Sequence, residues 1–78
     1  FCSVKDVLRA ALLGNADGII LCHNHPSGVP IPSPDDFAAT EDVRKGCEAV
    51  GIRLVDHVIV TDSHALWHSM TAHHQAGL

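Results

Sequence analysis

The residues best equipped for chemistry lie between His23 and Asp36. His23-Asn24-His25-Pro26-Ser27-Gly28 runs on to Ser33-Pro34-Asp35-Asp36. It follows Gly18 to Cys22, a short apolar run that reads as a buried strand. Alternate side chains of a strand share a face, so His23 and His25 point one way and Asn24 the other. Pro26 cannot donate to a ladder and predicts the strand's end. Ser33, Pro34 and Asp36 then have the types expected of an N-cap, a first and a third helical residue. Two imidazoles at a strand end and a carboxylate at a helix start could converge on one cation. Three such ligands with room for a water form the donor set of catalytic zinc. A plainer reading stands beside this one. Ser33 and Asp36 would simply cap a helix and complement its dipole, and each His would be a polar surface residue.

The elements that must position these groups are legible in outline. Ser3 can cap a helix, with Asp6 in capping-box position. Val4, Val7, Leu8, Ala11 and Leu12 fall on one face of it, and Gly14 reads as its terminator. Asn15 to Gly18 is turn chemistry. The strand from Gly18 to Cys22 is apolar on both faces, as a central strand of a covered sheet would be. Asp35 to Val50 reads as a second helix, with Phe37, Thr40, Val43 or Arg44, Cys47 and Val50 on its inner face and Gly51 ending it. Ile52 to Val60 reads as a second strand. Strict alternation puts Leu54, Asp56, Val58 and Val60 on one face, and Arg53, Val55, His57 and Ile59 on the other. Thr61 to His64 reads as a hairpin turn, Ala65 to Met70 as a third, weaker strand, and residues 71–78 as a disordered tail. The order predicts an α/β domain, with a right-handed crossover if the first two strands are parallel.

Composition bounds the function. At 78 residues the chain is one domain at most, of a size that buries only about two-thirds of its unfolded surface. No apolar run approaches the roughly 20 residues needed to span a bilayer, and no secretory signal is visible. The chain does not begin with Met, which reads as an excised domain of a longer protein. A net charge of −4, with its few basic residues scattered, gives no support for direct DNA binding. Cys2, Cys22 and Cys47 form no CxxC pair. They read as small buried apolar residues of a reducing, cytoplasmic protein.

The motif His-x-His-Pro, with a Ser and then an Asp at the spacing of Ser33 and Asp36, resembles the zinc motif of the JAMM (MPN+) metalloproteases. The string His-Asn-His-Pro-Ser-Gly, with Pro-Ser-x-x-Asp after it, resembles the RadC family within that superfamily. The likeness includes Gly51 to Val60 and covers residues 4–62; the stretch from Ser63 onward departs from the pattern. The resemblance implies an MPN/JAB architecture: a mixed sheet flanked by helices, similar to cytidine deaminase. Residues 1–78 would be the C-terminal part of one such domain. The N-terminal strands of that fold are not found here, so a sheet edge would stay open, a surface through which two copies could pair.

The resemblance also implies roles. His23, His25 and Asp36 would hold Zn2+, and Ser33 would donate to the developing oxyanion. A Glu on an earlier strand would serve as base and acid. Glu41 and Glu48 are the only glutamates, and both follow the motif. The implied activity is hydrolysis of a peptide or isopeptide bond in a peptide or protein substrate. The alternatives are a non-catalytic MPN-like interaction module, or a DNA-repair-associated factor, in keeping with the label the family often carries. The letters His-Asn-His do not make an HNH nuclease, whose residues are spread over a ββα-metal unit. Asp56-His57 resembles a recurrent RadC pair. The two face opposite ways, so His57 reads either as a hydrogen-bonded, partly buried His or as a group near the zinc. His64, His68, His73 and His74 read as turn and tail residues.

Overall fold

The computed structural model describes residues 3–62 and 67–70. Helix α1 spans Val4–Leu13 and strand β1 Gly18–Asn24. Helix α2 spans Pro34–Ala49, strand β2 Arg53–Val60 and strand β3 Trp67–Ser69. The three strands form one mixed sheet in the order β1-β2-β3, with β1 parallel to β2 and β3 antiparallel to it. The expected α/β class is therefore what the chain adopts. Among the described residues no strand precedes β1, and no helix is long and apolar enough to cross a membrane. The turn expected at Thr61 to His64 and the start of the third strand lie partly outside the described residues. Cys2, His73, His74 and the expected tail at 71–78 lie wholly outside them.

Both helices are capped by side chains and closed by Schellman geometry. The Ser3 hydroxyl accepts from the Asp6 N–H at 3.2 Å. At the far end of α1, the Ala16 N–H reaches the Ala11 carbonyl at 2.9 Å and the Asn15 N–H reaches that of Leu12 at 3.1 Å. The left-handed residue that this closure needs is Asn15, at φ 52°, not Gly14, whose φ is −82°. Asn is one of the few side chains that visit this region readily. In α2 the Ile52 N–H bonds to Cys47 O at 2.8 Å and the Gly51 N–H to Glu48 O at 3.2 Å. Here the left-handed position is a glycine, Gly51, at φ 77°.

The core forms where both helices meet one face of the sheet. Ala11, Val43, Cys47 and Ile52 are buried together, with Val4, Val7, Leu8, Ile19, Leu21 and Leu54 packed against them. Val43 is 0% exposed and is the inward residue that sequence left undecided against Arg44. Arg44 lies outside and pairs with Glu41 and Glu48 at 2.6 and 2.7 Å. Three residues assigned to inner faces are exposed: Leu12 (55%), Phe37 and Val50. Each sits in the first or last turn of its helix or at its C-cap.

Two expectations about the strands fail for one reason each. Strict alternation in β2 fails because the register with β1 skips Val55: Ile19 pairs with Leu54 and Ile20 with Asp56. The extra residue shifts the pleat. Leu54 therefore joins the helix side with His57 and Ile59, instead of lying opposite them. Among the described residues β1 lies at one end of the sheet with one face exposed, not in its centre with both faces covered as expected. Ile20 is 62% exposed and Cys22 is exposed, whereas Cys47 is buried and its thiol pKa is raised by that burial. His68 lies in β3 opposite Ile59, not in a turn.

Two outcomes follow from this packing. A Cβ at Gly46 would lie 3.0 Å from Val4 Cγ1 and 3.1 Å from Leu8 Cδ1, where α1 crosses α2. Gly46→Leu overpacks this crossing and should cost about 1–3 kcal/mol, read as a fall in thermal midpoint of roughly 4–8 °C per kcal/mol. An unchanged midpoint would show that the helices can separate freely. The second outcome concerns His57, which is 1% exposed. Burial first, and then the neighbouring His23, push its imidazole below the ordinary 6.5, against the opposing pull of Asp36 and Asp56. The unfolded chain thus takes up a proton before the folded one. Stability of the metal-free protein should hold above pH 6.5 and fall as the pH drops below it. Urea unfolding at several pH values, with His57→Gln flattening the profile, checks this.

Candidate metal centre

The site is built on the end of β1, the loop after it, and the first turn of α2. The ladder continues one residue beyond β1, with the His25 N–H donating to Val60 O at 2.8 Å. Pro26 then stops it. The Gly28 N–H turns back to His25 O at 3.1 Å, and Gly28 takes φ 81°, which a side chain would resist. This turn carries the Val29 carbonyl to 2.9 Å from His25 Nδ1. A carbonyl can only accept, so Nδ1 carries the hydrogen and Nε2 is the nitrogen presented to the site.

Asp36 arrives from the other side. Ser33 and Asp36 form a complete capping box: the Asp36 N–H donates to Ser33 Oγ at 3.1 Å, and the Ser33 N–H donates to Asp36 Oδ2 at 2.8 Å. The plainer reading of this pair is therefore correct as far as it goes. The carboxylate does more than cap. Its Oδ1 lies 3.2 Å from His23 Nδ1 and its Oδ2 lies 3.0 Å from His25 Nε2. The two imidazoles meet edge to face with ring centroids 4.7 Å apart, so they share the side of the strand that alternation predicts.

The donor set fits a cation. One ligand atom from each of His23, His25 and Asp36 lies within 4.8 Å of the others. Ligands at zinc distances in a tetrahedron stand about 3.3–3.6 Å apart, near the contacts seen here. Asp36 is only 6% exposed. Burial alone would push its carboxyl up. Hydrogen bonding from the Ser33 backbone and side chain, helped by His23 and His25, outweighs this and holds it below the ordinary 3.8. It is therefore an anion at neutral pH, as a ligand must be. Ser33 is exposed at the rim, beside the carboxylate.

Sequence reasoning left two supporting residues without a clear role. Thr40, one turn beyond Asp36, donates its hydroxyl to Asp36 O at 2.6 Å and lies 2.5 Å from His57 Nδ1. The His57 ring stacks on that of His23 at 5.8 Å with 30° between planes. A Thr four residues after the motif Asp hints at the first contact. Nothing in the sequence announces the second, because it joins residues on different elements. Asp56 points to the other side of the sheet, as expected. Its Oδ1 accepts from the His57 N–H at 2.7 Å and its Oδ2 accepts from Ser69 Oγ at 2.5 Å.

Comparison with known proteins places this chain in a family. Residues 1–76 match the family model described as RadC-like JAB domain. The chain is 51% identical over 57 residues to a UPF0758 protein of Thermotoga maritima, which covers 73% of this chain and 26% of that protein. It is 45% identical over 62 residues to a UPF0758 protein of Aquifex aeolicus, covering 80% of this chain and 27% of the relative. For that of Chromobacterium violaceum the identity is 49% over 61 residues, covering 78% and 27%. The chain thus spans about a quarter of the length of the curated relatives it matches. With a mixed three-strand sheet, two helices and a His/His/Asp group able to hold a metal, the chain belongs to the RadC-like JAB domain family.

Proposed function

We propose that this chain is the metal-holding part of a zinc-dependent hydrolase that cleaves a peptide or isopeptide bond. His23, His25 and Asp36 hold the ion, and Ser33 acts on the reacting carbonyl. The observation that carries the reading is the Asp36 carboxylate set between two imidazoles at 3.2 and 3.0 Å. A helix cap requires neither imidazole. Zinc, when bound, supplies a Lewis acid that acidifies water and polarises an amide carbonyl.

The protein's own groups have separable tasks. The Val29 carbonyl fixes the His25 tautomer and ring orientation. Ser33 holds Asp36 ionised through its N–H. Its exposed hydroxyl can turn its hydrogen toward an oxygen that gains charge, a contribution of about 2.7–4 kcal/mol for a strong single donor. Proton transfer to the leaving amine needs another group. Asp6 lies in α1 and Asp17 in the turn before β1, while Glu41 and Glu48 are paired with Arg44 on the outer side of α2. That step falls to a glutamate on an upstream segment, as the resemblance to the JAMM enzymes implies.

Zinc stoichiometry and peptide hydrolysis test the reading together. The chain should bind one zinc, and His25→Ala should abolish binding while leaving far-UV circular dichroism unchanged, because the core is apolar and lies elsewhere. A longer chain carrying the upstream glutamate should hydrolyse peptides at least ~10²-fold faster than these 78 residues, the scale of a positioned general acid–base. Equal zinc-dependent rates would move the base into this chain and overturn the role assignment. Zinc binding without hydrolysis by the longer chain would leave an interaction module.

A further inference from the structure

We infer that Thr40 and His57 form a positioning pair that sets the separation of Asp36 from His23, and with it the metal affinity of the site. The inference rests on the metal reading of His23, His25 and Asp36. Those ligands come from two different elements. His23 and His25 belong to the sheet and its first loop, and Asp36 to the N-terminal turn of α2. Ser33 ties Asp36 to its own helix only, so the cap cannot hold the carboxylate against the sheet.

Thr40 and His57 make that connection. A carbonyl cannot donate, so the 2.6 Å contact with Asp36 O uses the Thr40 hydroxyl hydrogen. The Oγ1 lone pairs then accept from His57 Nδ1–H at 2.5 Å. Met70 Sδ, 3.6 Å from the same hydroxyl, covers the pair. His57 stands in the register of β2 opposite Leu21, two residues before His23 on β1. Its ring stacks on His23 while its Nδ1 reaches the helix. One buried imidazole therefore touches the His23 ring directly and the main chain of Asp36 through a single hydroxyl. Apolar residues of the same shape would fill this space with little loss of stability. Their packing would fix no distance as a hydrogen bond does.

The test measures zinc affinity by chelator competition and the visible absorption of the Co2+-loaded intact protein, with unfolding midpoints recorded in parallel. Thr40→Val removes the hydroxyl and keeps the shape. It should weaken zinc binding by about 10–100-fold and shift the Co2+ bands, and Thr40→Ser should restore both. The double variant Thr40→Val with His57→Phe replaces the pair by apolar groups. It should keep a near-normal midpoint and still bind zinc weakly, which retains a readout if a single variant misfolds. Unchanged affinity and an unchanged Co2+ spectrum in folded variants, with one tight zinc in the parent and none in His25→Ala, would overturn the positioning role alone. A parent chain that binds no zinc would overturn both readings.

Discussion

The Asp36 carboxylate is the interaction on which the rest of the site depends, because one group meets two demands. Within α2 it closes the capping box with Ser33 and complements the positive end of the helix dipole. Across the loop it faces both imidazoles. A buried carboxylate without partners would be costly or would take up a proton. The cap removes that difficulty before any ion arrives, since the Ser33 N–H already bonds to Oδ2. The helix start thus delivers a charged, oriented carboxylate whose position follows from a local sequence rule.

The sheet contributes the other half. Parallel pairing of β1 with β2 brings Leu21 opposite His57 and His23 opposite Ile59. The helix-facing row therefore grades from apolar at the Gly18 end to polar at the loop end. Where α1 and α2 meet this row, Ile19, Leu21 and Leu54 fill the core with Val43 and Cys47. Where the row emerges beyond α1, histidines replace aliphatic residues. The core and the site are successive parts of one surface, and the helix that seals the first supplies the carboxylate of the second.

Much of this was legible because it is local. Ser33, Pro34 and Asp36 announce a helix start by type alone, and two histidines separated by one residue announce a shared strand face. The boundaries of both helices followed from the same chemistry. What was hidden is what tertiary packing decides. The skipped Val55 moves Leu54 to the core side, and no rule of alternation can foresee a register shift. Gly14 looked like the left-handed residue, yet the chain turns one position later at Asn15, where the Ala16 N–H can reach Ala11 O. The Thr40–His57 contact spans 17 positions and depends on how α2 lies on β2. Its role could not be read before that packing was known.

The bare side of the sheet follows the same logic of what local sequence can and cannot provide. Ile20 and Cys22 alternate with the helix-facing residues of β1 and have the types of a covered face, yet they are exposed. Apolar residues on both faces are what a strand covered on two sides would carry. Asp56, in contrast, is polar on that bare face and is held by Ser69 and its own neighbour's N–H, so the face has a polar patch as well as an apolar one. Among the described residues β1 pairs with β2 on one side only, and the apolar part adjoins its other side. The face that carries Ile19 and Leu21 is packed against this chain's own helices, whereas Ile20 and Cys22 of the opposite face are exposed among the described residues. Within the described residues, the parts that hold the candidate metal site depend on the first face alone.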